Sequence, residues 1–350
     1  MKIGLIGCGR ISERGHMVAY SSMNDAEIVA VADINSDKAK SFADKFRIRK
    51  IFTDYVDLLE IKDLDFVDIC TPTSTHCSIA CDAMRYGHNV FLEKPMALSV
   101  FECEKMMQES KKNRVKLCIC HNQIFDPSIR QAKSITDGMY EDLISFRTSI
   151  KENEYMFDAP SWNTSPKEGG FLWEWGIHLA YLQLHFLQNI KEVYAIGGKL
   201  KHQVYDDFVV LFRTQNQSYG IIELSLLAKE PERLYEINFS NGSRLQLDFT
   251  FNYFTEKSRN ISKSWKRELL SGFYSDLKRV FGKRVKYTLS FLRKRQLFLH
   301  YSHFQLIRNF IESIKTDSPP PVGPEEGKNA IRLLECIRKS LDEHRVVTMK

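Results

Sequence analysis

The chain of 350 residues lacks any long hydrophobic run, since no stretch approaches the roughly 18 apolar residues that a membrane-spanning helix needs. It also lacks an internal repeat. Because it has no Cys-x-x-Cys pair and no histidine pair with zinc-site spacing, we expect no metal centre. The chain opens on an apolar strand pattern, Lys2 to Ile6, and not on a signal peptide. These absences predict a cytoplasmic protein without membrane spans.

Eight cysteines are present, but they lie within predicted strands and helices. Cys70 ends a strand, Cys118 and Cys120 share another, and Cys77 and Cys81 fall on one helix face. Such positions are typical of reduced thiols in a core and not of a disulfide framework.

The most informative motif is a glycine-rich turn, Gly7-Cys8-Gly9-Arg10-Ile11-Ser12, that follows the first strand. A tight turn at Gly7 and the missing Cβ of Gly9 allow a pyrophosphate to approach the backbone, and the amide groups of the following helix would face the phosphates. Ser12 stands where the third glycine of the dinucleotide-binding pattern is usual.

A second apolar strand, 27–32, ends at Asp33. Its carboxylate can accept hydrogen bonds from both ribose hydroxyls of an adenosine and would repel a 2′-phosphate. The glycine turn and Asp33 together predict NAD as the cofactor, in preference to NADP.

Strand and helix patterns alternate through the first 120 residues. The predicted strands are 2–6, 27–32, 66–70, 89–92 and 115–120, and the helical patterns lie near 10–22, 36–46, 54–60, 75–86 and 99–112. This alternation predicts an α/β fold with a doubly wound parallel Rossmann sheet, whose ligand lies beyond the carboxyl ends of the strands. We predict an NAD-binding domain over residues 1–121.

From residue 122 the pattern changes to consecutive strands. The candidates are 142–150, 193–200, 207–214, 218–227, 233–240 and 243–250, with helices after Asp126-Pro127, over 170–187 and over 325–345. We predict an α+β domain over 122–350, with a large, mostly antiparallel open sheet that serves substrate binding and oligomerisation. Because one face of such a sheet must be covered, a homodimer or homotetramer is expected.

The sequence Glu93-Lys94-Pro95 closes the predicted strand 89–92, at the sheet edge where ligand should lie. A lysine there can donate a hydrogen bond to a substrate hydroxyl and stabilise the alkoxide that forms as hydride leaves. The Lys94–Pro95 bond can be cis at low cost, which would fix the direction of the lysine. The alternative is that both charged residues simply end the strand in solvent.

Several ordered motifs resemble the Gfo/Idh/MocA family of oxidoreductases, which includes glucose-fructose oxidoreductase and inositol dehydrogenase. The resemblance covers nearly the whole chain. It rests on the Gly7 turn, Asp33, Thr71-Pro72-Thr73-Ser74-Thr75-His76, Glu93-Lys94-Pro95, Asn122 with Phe125-Asp126-Pro127, and Gly169-Gly170-Phe171-Leu172-Trp173-Glu174-Trp175-Gly176-Ile177-His178.

The resemblance implies roles for residues at matching positions. Lys94 is expected to contact the nicotinamide ribose and the substrate hydroxyl, and His178 to take the hydroxyl proton as hydride moves. The implied cofactor contacts are Gly7, Gly9, Arg10, Ile11, Asp33, Thr71, Pro72, Thr73, His76, Glu93 and Lys94. The implied catalytic residues are Lys94, His178 and Glu174, and the candidate substrate contacts are Lys94, Asn122, Trp162, Glu174 and His178.

Two positions depart from the family pattern. Glu174 stands where many relatives carry aspartate, and Tyr181 stands where aspartate is also common. Four residues before His178 on a helix, Glu174 is expected on the same face, where it could polarise His178 or bind substrate. Trp173 and Trp175 are expected to wall the pocket.

A basic aromatic insertion is predicted at about 255–300. From Glu256 to Arg295 there are thirteen Lys or Arg residues and three Asp or Glu, a local charge of +10 in a chain that carries +6. Over 264–298 the pattern suits an insertion with a solvated basic face, a peripheral contact with a membrane surface, or a polyanion such as a nucleotide sugar diphosphate. No nucleic-acid reading motif accompanies it, so no nucleic-acid partner is expected.

The favoured function is an NAD-dependent oxidoreductase acting on a secondary alcohol or ketone of a sugar, by family analogy a nucleotide sugar of polysaccharide biosynthesis. The alternatives are a non-catalytic protein that binds NAD and a metabolite to regulate a partner, a free sugar or inositol dehydrogenase, and an enzyme that works only as a ketone reductase.

Overall fold

The first sheet has six parallel strands, as the alternating pattern predicts. The strands are β1 (Lys2–Ile6), β2 (Glu27–Ala32), β3 (Lys50–Phe52), β4 (Phe66–Ile69), β5 (Asn89–Leu92) and β6 (Leu117–Ile119). In the computed structural model, which describes residues 1–153, 165–248, 253–257 and 301–349, their order is β3-β2-β1-β4-β5-β6. This is the doubly wound Rossmann order, and it brings the loops after β1, β4 and β5 to one edge.

Helices connect these strands and cover both sheet faces. They are α1 (Met17–Tyr20), α2 (Ser36–Phe46), α3 (Tyr55–Leu59), α4 (Thr73–Arg85) and α5 (Val100–Asn113). Side chains cap three of them: Asn35, Asp54 and Ser99 accept hydrogen bonds from first-turn backbone N–H groups of α2, α3 and α5.

Two local predictions in this part of the chain were incomplete. Strand β3 was not predicted, because its three residues at the sheet edge are too few to give a period. The predicted helix 10–22 is a π-helical turn over Ser12–His16 followed by α1. The buried side chains of Ser12 and His16 both belong to that wider turn.

The second sheet is mixed and mostly antiparallel. Its strands are β7 (Leu143–Asn153), β8 (Ile190–Gly198), β9 (Asp207–Thr214), β10 (Tyr219–Ser225), β11 (Leu227–Phe239), β12 (Arg244–Asp248), β13 (Tyr253–Lys257) and β14 (Val347–Thr348). They stand in the order β13-β12-β11-β7-β10-β9-β8-β14, in which β10 pairs with β7 in parallel. The α+β prediction is therefore confirmed, with one parallel pair that the turn signals did not indicate.

Five further α-helices follow the first sheet in the described part of the chain. They are α6 (Pro127–Gly138), α7 (Gly170–Glu174), α8 (Gly176–Phe186), α9 (Tyr301–Lys315) and α10 (Pro324–Glu343). Helices α8 and α10 lie on the inner face of the second sheet. On β9 the side chains alternate, with Phe208 and Phe212 buried and Val209 and Leu211 exposed on the outer face.

The end of the chain returns to the first sheet. Phe310 of α9 packs against Phe66 and Phe91, and the backbone N–H of Ile119 on β6 donates to the carbonyl of Val322 at 3.0 Å. The division into domains 1–121 and 122–350 stays a prediction. Trp162 and nearly all of the predicted insertion at 255–300 lie outside the described residues.

All eight cysteines are free, and seven of them are buried. Among the described residues, no helix combines the length and the apolar character that crossing a bilayer requires.

Candidate active site

The glycine turn after β1 has the backbone that a dinucleotide site needs. Gly7 has φ +97°, and a Cβ there would lie 2.5 Å from the carbonyl oxygen of Cys70, so only glycine fits. A Cβ at Gly9 would meet nothing within 4 Å, and Arg10 and Ile11 are exposed beside it. The turn is therefore rigid at Gly7 and open at Gly9, where a pyrophosphate could approach.

Ser12 stabilises this turn from inside. Its buried hydroxyl donates to the carbonyl of Gly7 at 2.5 Å and accepts from the backbone N–H of Gly9 at 3.2 Å. The serine at the third glycine position thus satisfies backbone groups of the turn and leaves its outer surface open.

Asp33 lies against the same turn. One carboxylate oxygen accepts from the backbone N–H of Cys8 at 2.8 Å, and the other accepts from that of Asn35 at 2.9 Å. Each oxygen keeps a further lone pair for a ribose hydroxyl. A cleft runs from this point to α2, lined by Cys8, Gly9, Arg10, Glu13, Arg14, Asn35, Asp37, Lys38, Ser41, Phe42 and Lys45. These residues fit the pyrophosphate and adenosine ribose of NAD.

The loop after β4, which contains Thr71 and Pro72, and the first turn of α4 up to His76 are held at the same sheet edge. Thr75 donates to the hydroxyl of Thr71 at 2.8 Å, and Glu168 accepts from the backbone N–H and the hydroxyl of Ser74 at 2.9 and 2.6 Å. His76 is buried, with its ring nitrogens 2.8 Å from the carbonyl oxygen of Pro95 and 2.9 Å from that of Thr71. It therefore joins this loop to the Glu93-Lys94-Pro95 turn, and its cofactor contact stays a prediction.

Glu93 points into the protein and not toward solvent. One carboxylate oxygen lies 2.8 Å from Nε2 of His16, and the other accepts from the backbone N–H of Lys94 at 3.0 Å. Nδ1 of His16 lies 2.7 Å from Asp68, which also accepts from the hydroxyl of Tyr20 at 2.7 Å. With carboxylates at both nitrogens, the ring of His16 donates twice and is an imidazolium.

The charges of this buried network determine its protonation. Burial acts to lower the pKa of His16, but the charge and hydrogen bond of Asp68, together with Cys70 and Cys120, outweigh it, and the pKa lies well above its ordinary value. Burial acts to raise the pKa of Glu93, but the hydrogen bond and charge of His16 outweigh it, so that pKa is lowered. The backbone of the Glu93-Lys94-Pro95 turn, whose Lys94–Pro95 bond is cis, is thus anchored to an ionic network.

Further ligand-type side chains approach Glu93. Ligand atoms of His16, Glu93, Cys120 and His303 lie within 4.8 Å of one another. His303 belongs to α9, and its Nδ1 lies 3.3 Å from the side-chain amide of Asn122. The prediction of no metal stays a prediction, and so does the substrate contact of Asn122, which here faces α9.

Lys94 forms an ion pair with Glu174. Its ammonium lies 3.0 Å from the carboxylate of Glu174 and 3.2 Å from the backbone carbonyl of the same residue, and both side chains are largely buried. Burial raises the pKa of Glu174, and the charge of Lys94 opposes that rise. The second carboxylate oxygen of Glu174 is buried without a described hydrogen-bond partner.

The described contacts pair Glu174 with Lys94 and His178 with Tyr181, so the expected action of Glu174 on His178 stays a prediction. The predicted helix 170–187 is interrupted at Trp175, so Glu174 ends α7 and His178 lies in α8. Two glycines with positive φ stand at the start of α7, Gly169 before it and Gly170 as its first residue, and a Cβ on Gly170 would lie 2.6 Å from Val204. Only glycine fits this close approach at the start of α7.

His178 is paired with Tyr181. Nδ1 of His178 and the hydroxyl of Tyr181 are 2.8 Å apart, and that hydroxyl also accepts from the backbone N–H of Gln123 at 3.2 Å. The pKa of His178 is well below its ordinary value, because the ring is buried and the ammonium of Lys94 is near. His178 is therefore neutral, and Nε2 is the nitrogen left for a ligand.

The two tryptophans of the motif have different environments. Trp175 lies beside His178, with ring centroids 6.1 Å apart, and carries the guanidinium of Arg233 over its ring at 4.9 Å. Trp173 is 1% exposed in the core, under the guanidinium of Arg338, so it is not a pocket wall.

His16, Asp68 and Arg233 were not predicted from the sequence as residues of the site. One signal was available: Asp68 interrupts a buried strand, and a buried carboxylate needs a partner. The identity of that partner could not be read, because His16 is 52 residues away in the chain.

Comparisons with known proteins agree with this geometry. A family profile described as oxidoreductase family, NAD-binding Rossmann fold, matches residues 1–121, and one described as GFO/IDH/MocA C-terminal domain matches 129–244. Myo-inositol 2-dehydrogenase of Thermotoga maritima is 25% identical over 358 aligned positions, which cover 100% of this chain and 99% of that protein. D-apiose dehydrogenase of Paraburkholderia graminis is 24% identical over 257 positions, covering 71% and 68%.

Solved structures share the complete fold. The WlbA dehydrogenase from Bordetella pertussis in complex with NADH and UDP-GlcNAcA has a TM-score of 0.82 at 20% identity, covering 100% of this chain and 98% of that chain. Levoglucosan dehydrogenase in complex with NADH has a TM-score of 0.81 at 16% identity, covering 100% and 99%. Two profiles of one family match the two sheets, and the turn and Asp33 fit NAD, so the chain belongs to the Gfo/Idh/MocA family of NAD-binding oxidoreductases that act on CH–OH groups.

Proposed function

We propose that this protein interconverts a secondary alcohol and a ketone on a sugar, with a nucleotide sugar of polysaccharide biosynthesis as the preferred substrate class. The observation that carries the proposal is the position of Lys94 and His178. Lys94 follows β5 at the ligand edge of the first sheet, and its charge acts on the neutral ring of His178. A cation and a neutral base on one reacting oxygen are what alcohol oxidation requires.

The two residues have separate tasks. The ammonium of Lys94 donates a hydrogen bond to the substrate oxygen and stabilises its developing negative charge. His178, neutral and free at Nε2, accepts the hydroxyl proton during oxidation and returns it during ketone reduction. Glu174 balances the charge of Lys94 in the buried site, and its second carboxylate oxygen can accept a hydrogen bond from a neighbouring hydroxyl of the substrate.

The cofactor residues are those around the glycine turn. The backbone of Gly7 to Ile11 would hold the pyrophosphate and Asp33 the adenosine ribose, while Thr71, Pro72 and Thr73 would line the nicotinamide side. NAD, when bound, supplies the acceptor or donor of hydride at its nicotinamide ring.

The nucleotide-sugar class is supported by two features. WlbA, which has the same fold, was solved with UDP-GlcNAcA, and the basic segment 264–298 suits a diphosphate. The full-length match to a myo-inositol 2-dehydrogenase supports the alternative, a free sugar or inositol substrate.

A spectrophotometric screen tests the activity. Purified protein with NAD is offered UDP-sugars, free sugars and inositols, together with Lys94→Ala, His178→Ala and a matched lysine control, Lys116→Ala, which removes a remote pair with Asp317. We expect kcat to fall by roughly 100-fold or more in the first two variants and to stay near wild type in the control. Asp33→Ala should weaken NAD binding about tenfold in calorimetry. NAD binding without turnover of any substrate by wild type would contradict the proposal.

We also propose that the protein is a cytoplasmic homodimer or homotetramer that pairs through the outer face of the second sheet. Exposed apolar side chains lie together there: Val209 and Leu211 of β9 neighbour Ile196 of β8. Sedimentation velocity tests this, and a monomer at micromolar concentration contradicts it.

We propose a peripheral membrane contact through residues 264–298. Flotation with anionic liposomes at low salt tests this contact, and absence of flotation contradicts it.

A further inference from the structure

Among the residues that the structure describes, no carboxylate is paired with His178, although the family pattern suggests one. Glu174, four residues earlier at the end of α7, has its carboxylate 3.0 Å from the ammonium of Lys94. The group at Nδ1 is instead the phenol of Tyr181, one turn later on α8.

Tyr181 is fixed by two other parts of the chain. Its side chain is 4% exposed, and the backbone N–H of Gln123 donates to its hydroxyl at 3.2 Å. The ring of His121 stacks on it with centroids 4.3 Å apart and planes 15° apart. A phenol held by stacking and by a backbone donor has one orientation, and it transmits that orientation to the imidazole.

We propose that Tyr181 is a positioning residue for His178: its hydroxyl holds Nδ1, so that Nε2 is presented to the reacting oxygen of the substrate. This assignment rests on the proposed function, because it gives a purpose to the orientation of His178. A side chain displaced by about 1 Å can cost a hundredfold in rate, so an imidazole free to rotate would be a poor proton acceptor.

The phenol also differs from a carboxylate in charge. The groups that act on His178 are Tyr181 on its own helix, Lys94 and Glu93 after β5, His121 after β6, and Arg233 on β11. Burial and the charge of Lys94 lower the pKa of His178, and the neutral phenol does nothing to raise it. The ring is therefore available as a base at pH values below the ordinary range of histidine.

Two substitutions at Tyr181 test the role by kinetics. In Tyr181→Phe we expect kcat to fall about 10- to 100-fold with KM nearly unchanged. In Tyr181→Asp the new carboxylate should stabilise the imidazolium, so the acid limb of kcat/KM for alcohol oxidation should move to higher pH than in wild type. The matched control is Tyr235→Phe, which removes another buried phenol hydroxyl, one that lies 3.4 Å from the side-chain oxygen of Gln123. Its kcat and pH profile should stay near those of wild type.

A measurement without substrate separates this proposal from the proposed function. In protein labelled with ¹⁵N-histidine, the signals of His178, identified by their loss in His178→Gln, should shift in Tyr181→Phe and not in Tyr235→Phe. Shifted signals with no turnover by wild type would contradict the proposed function and leave the pairing intact. Turnover with the same kcat, the same acid limb and the same ¹⁵N signals in Tyr181→Phe would overturn the positioning role.

Discussion

Two histidines near the Glu93-Lys94-Pro95 turn, the buried His16 and the half-buried His178, are held in opposite protonation states. His16 lies between the carboxylates of Asp68 and Glu93 and is an imidazolium, whereas His178 faces a phenol and an ammonium and is neutral. Burial acts in the same direction on both rings, so the neighbours decide the outcome. The comparison shows one histidine used as a fixed charge that anchors a turn and one kept free to exchange a proton.

The largest change in the free energy of unfolding should come from removing the charge of His16. His16→Ala leaves Asp68 and Glu93 as two buried carboxylates without their shared cation, and breaking such a pairing costs about 3 to 5 kcal/mol in free energy of unfolding. Urea denaturation measures this loss. A change under about 1 kcal/mol would mean that the network carries no such charge.

The neutral histidine should appear in the pH dependence of stability. The pKa of His178 is lowered in the folded state, so below about pH 6.5 the unfolded chain binds a proton that the folded chain excludes. The free energy of unfolding should therefore decrease as the pH falls, by about 1.4 kcal/mol per pH unit for this residue. Burial also lowers the pKa of His121, to about 3, and this adds a slope of the same sign.

Denaturation of wild type and His178→Gln at several pH values between 7 and 5 isolates the contribution of His178. The variant should show a shallower slope, and equal slopes would contradict a neutral His178. The contribution of His16 has the opposite sign, because its pKa is raised: it is present below the ordinary value and is lost as the pH rises through the folded value.

The smallest change in the free energy of unfolding should come from removing an exposed ion pair. This pair serves as the reference for the substitutions of His16 and His178. Arg213 and Glu192 pair across β9 and β8 with side chains 55% and 36% exposed. Arg213→Gln should change the free energy of unfolding by less than about 1 kcal/mol, with little dependence on pH between 7 and 5. A larger loss of free energy of unfolding in the same urea experiment would contradict the view that burial makes the two histidines matter more to stability than this exposed pair.

Local patterns predicted the elements that surround the glycine turn. The turn at Gly7 and the strand that ends at Asp33 are short-range signals, and the alternation of strand and helix gave the parallel sheet. What could not be predicted depends on distant contacts. His16 meets Glu93 across 77 residues, and Lys94 meets Glu174 across 80 residues. The parallel pairing of β10 with β7 likewise leaves no local signature.

The hydrogen bond from Ile119 to Val322 has a consequence for synthesis and solubility. Strand β6 is the edge of the first sheet, and an open edge is a template for pairing with other chains. The backbone that covers it comes from about 200 residues later in the sequence, so the edge stays unprotected until nearly the whole chain has been made. Shortening the chain before Val322 should therefore produce a protein that aggregates through its first sheet even though every strand of that sheet is present.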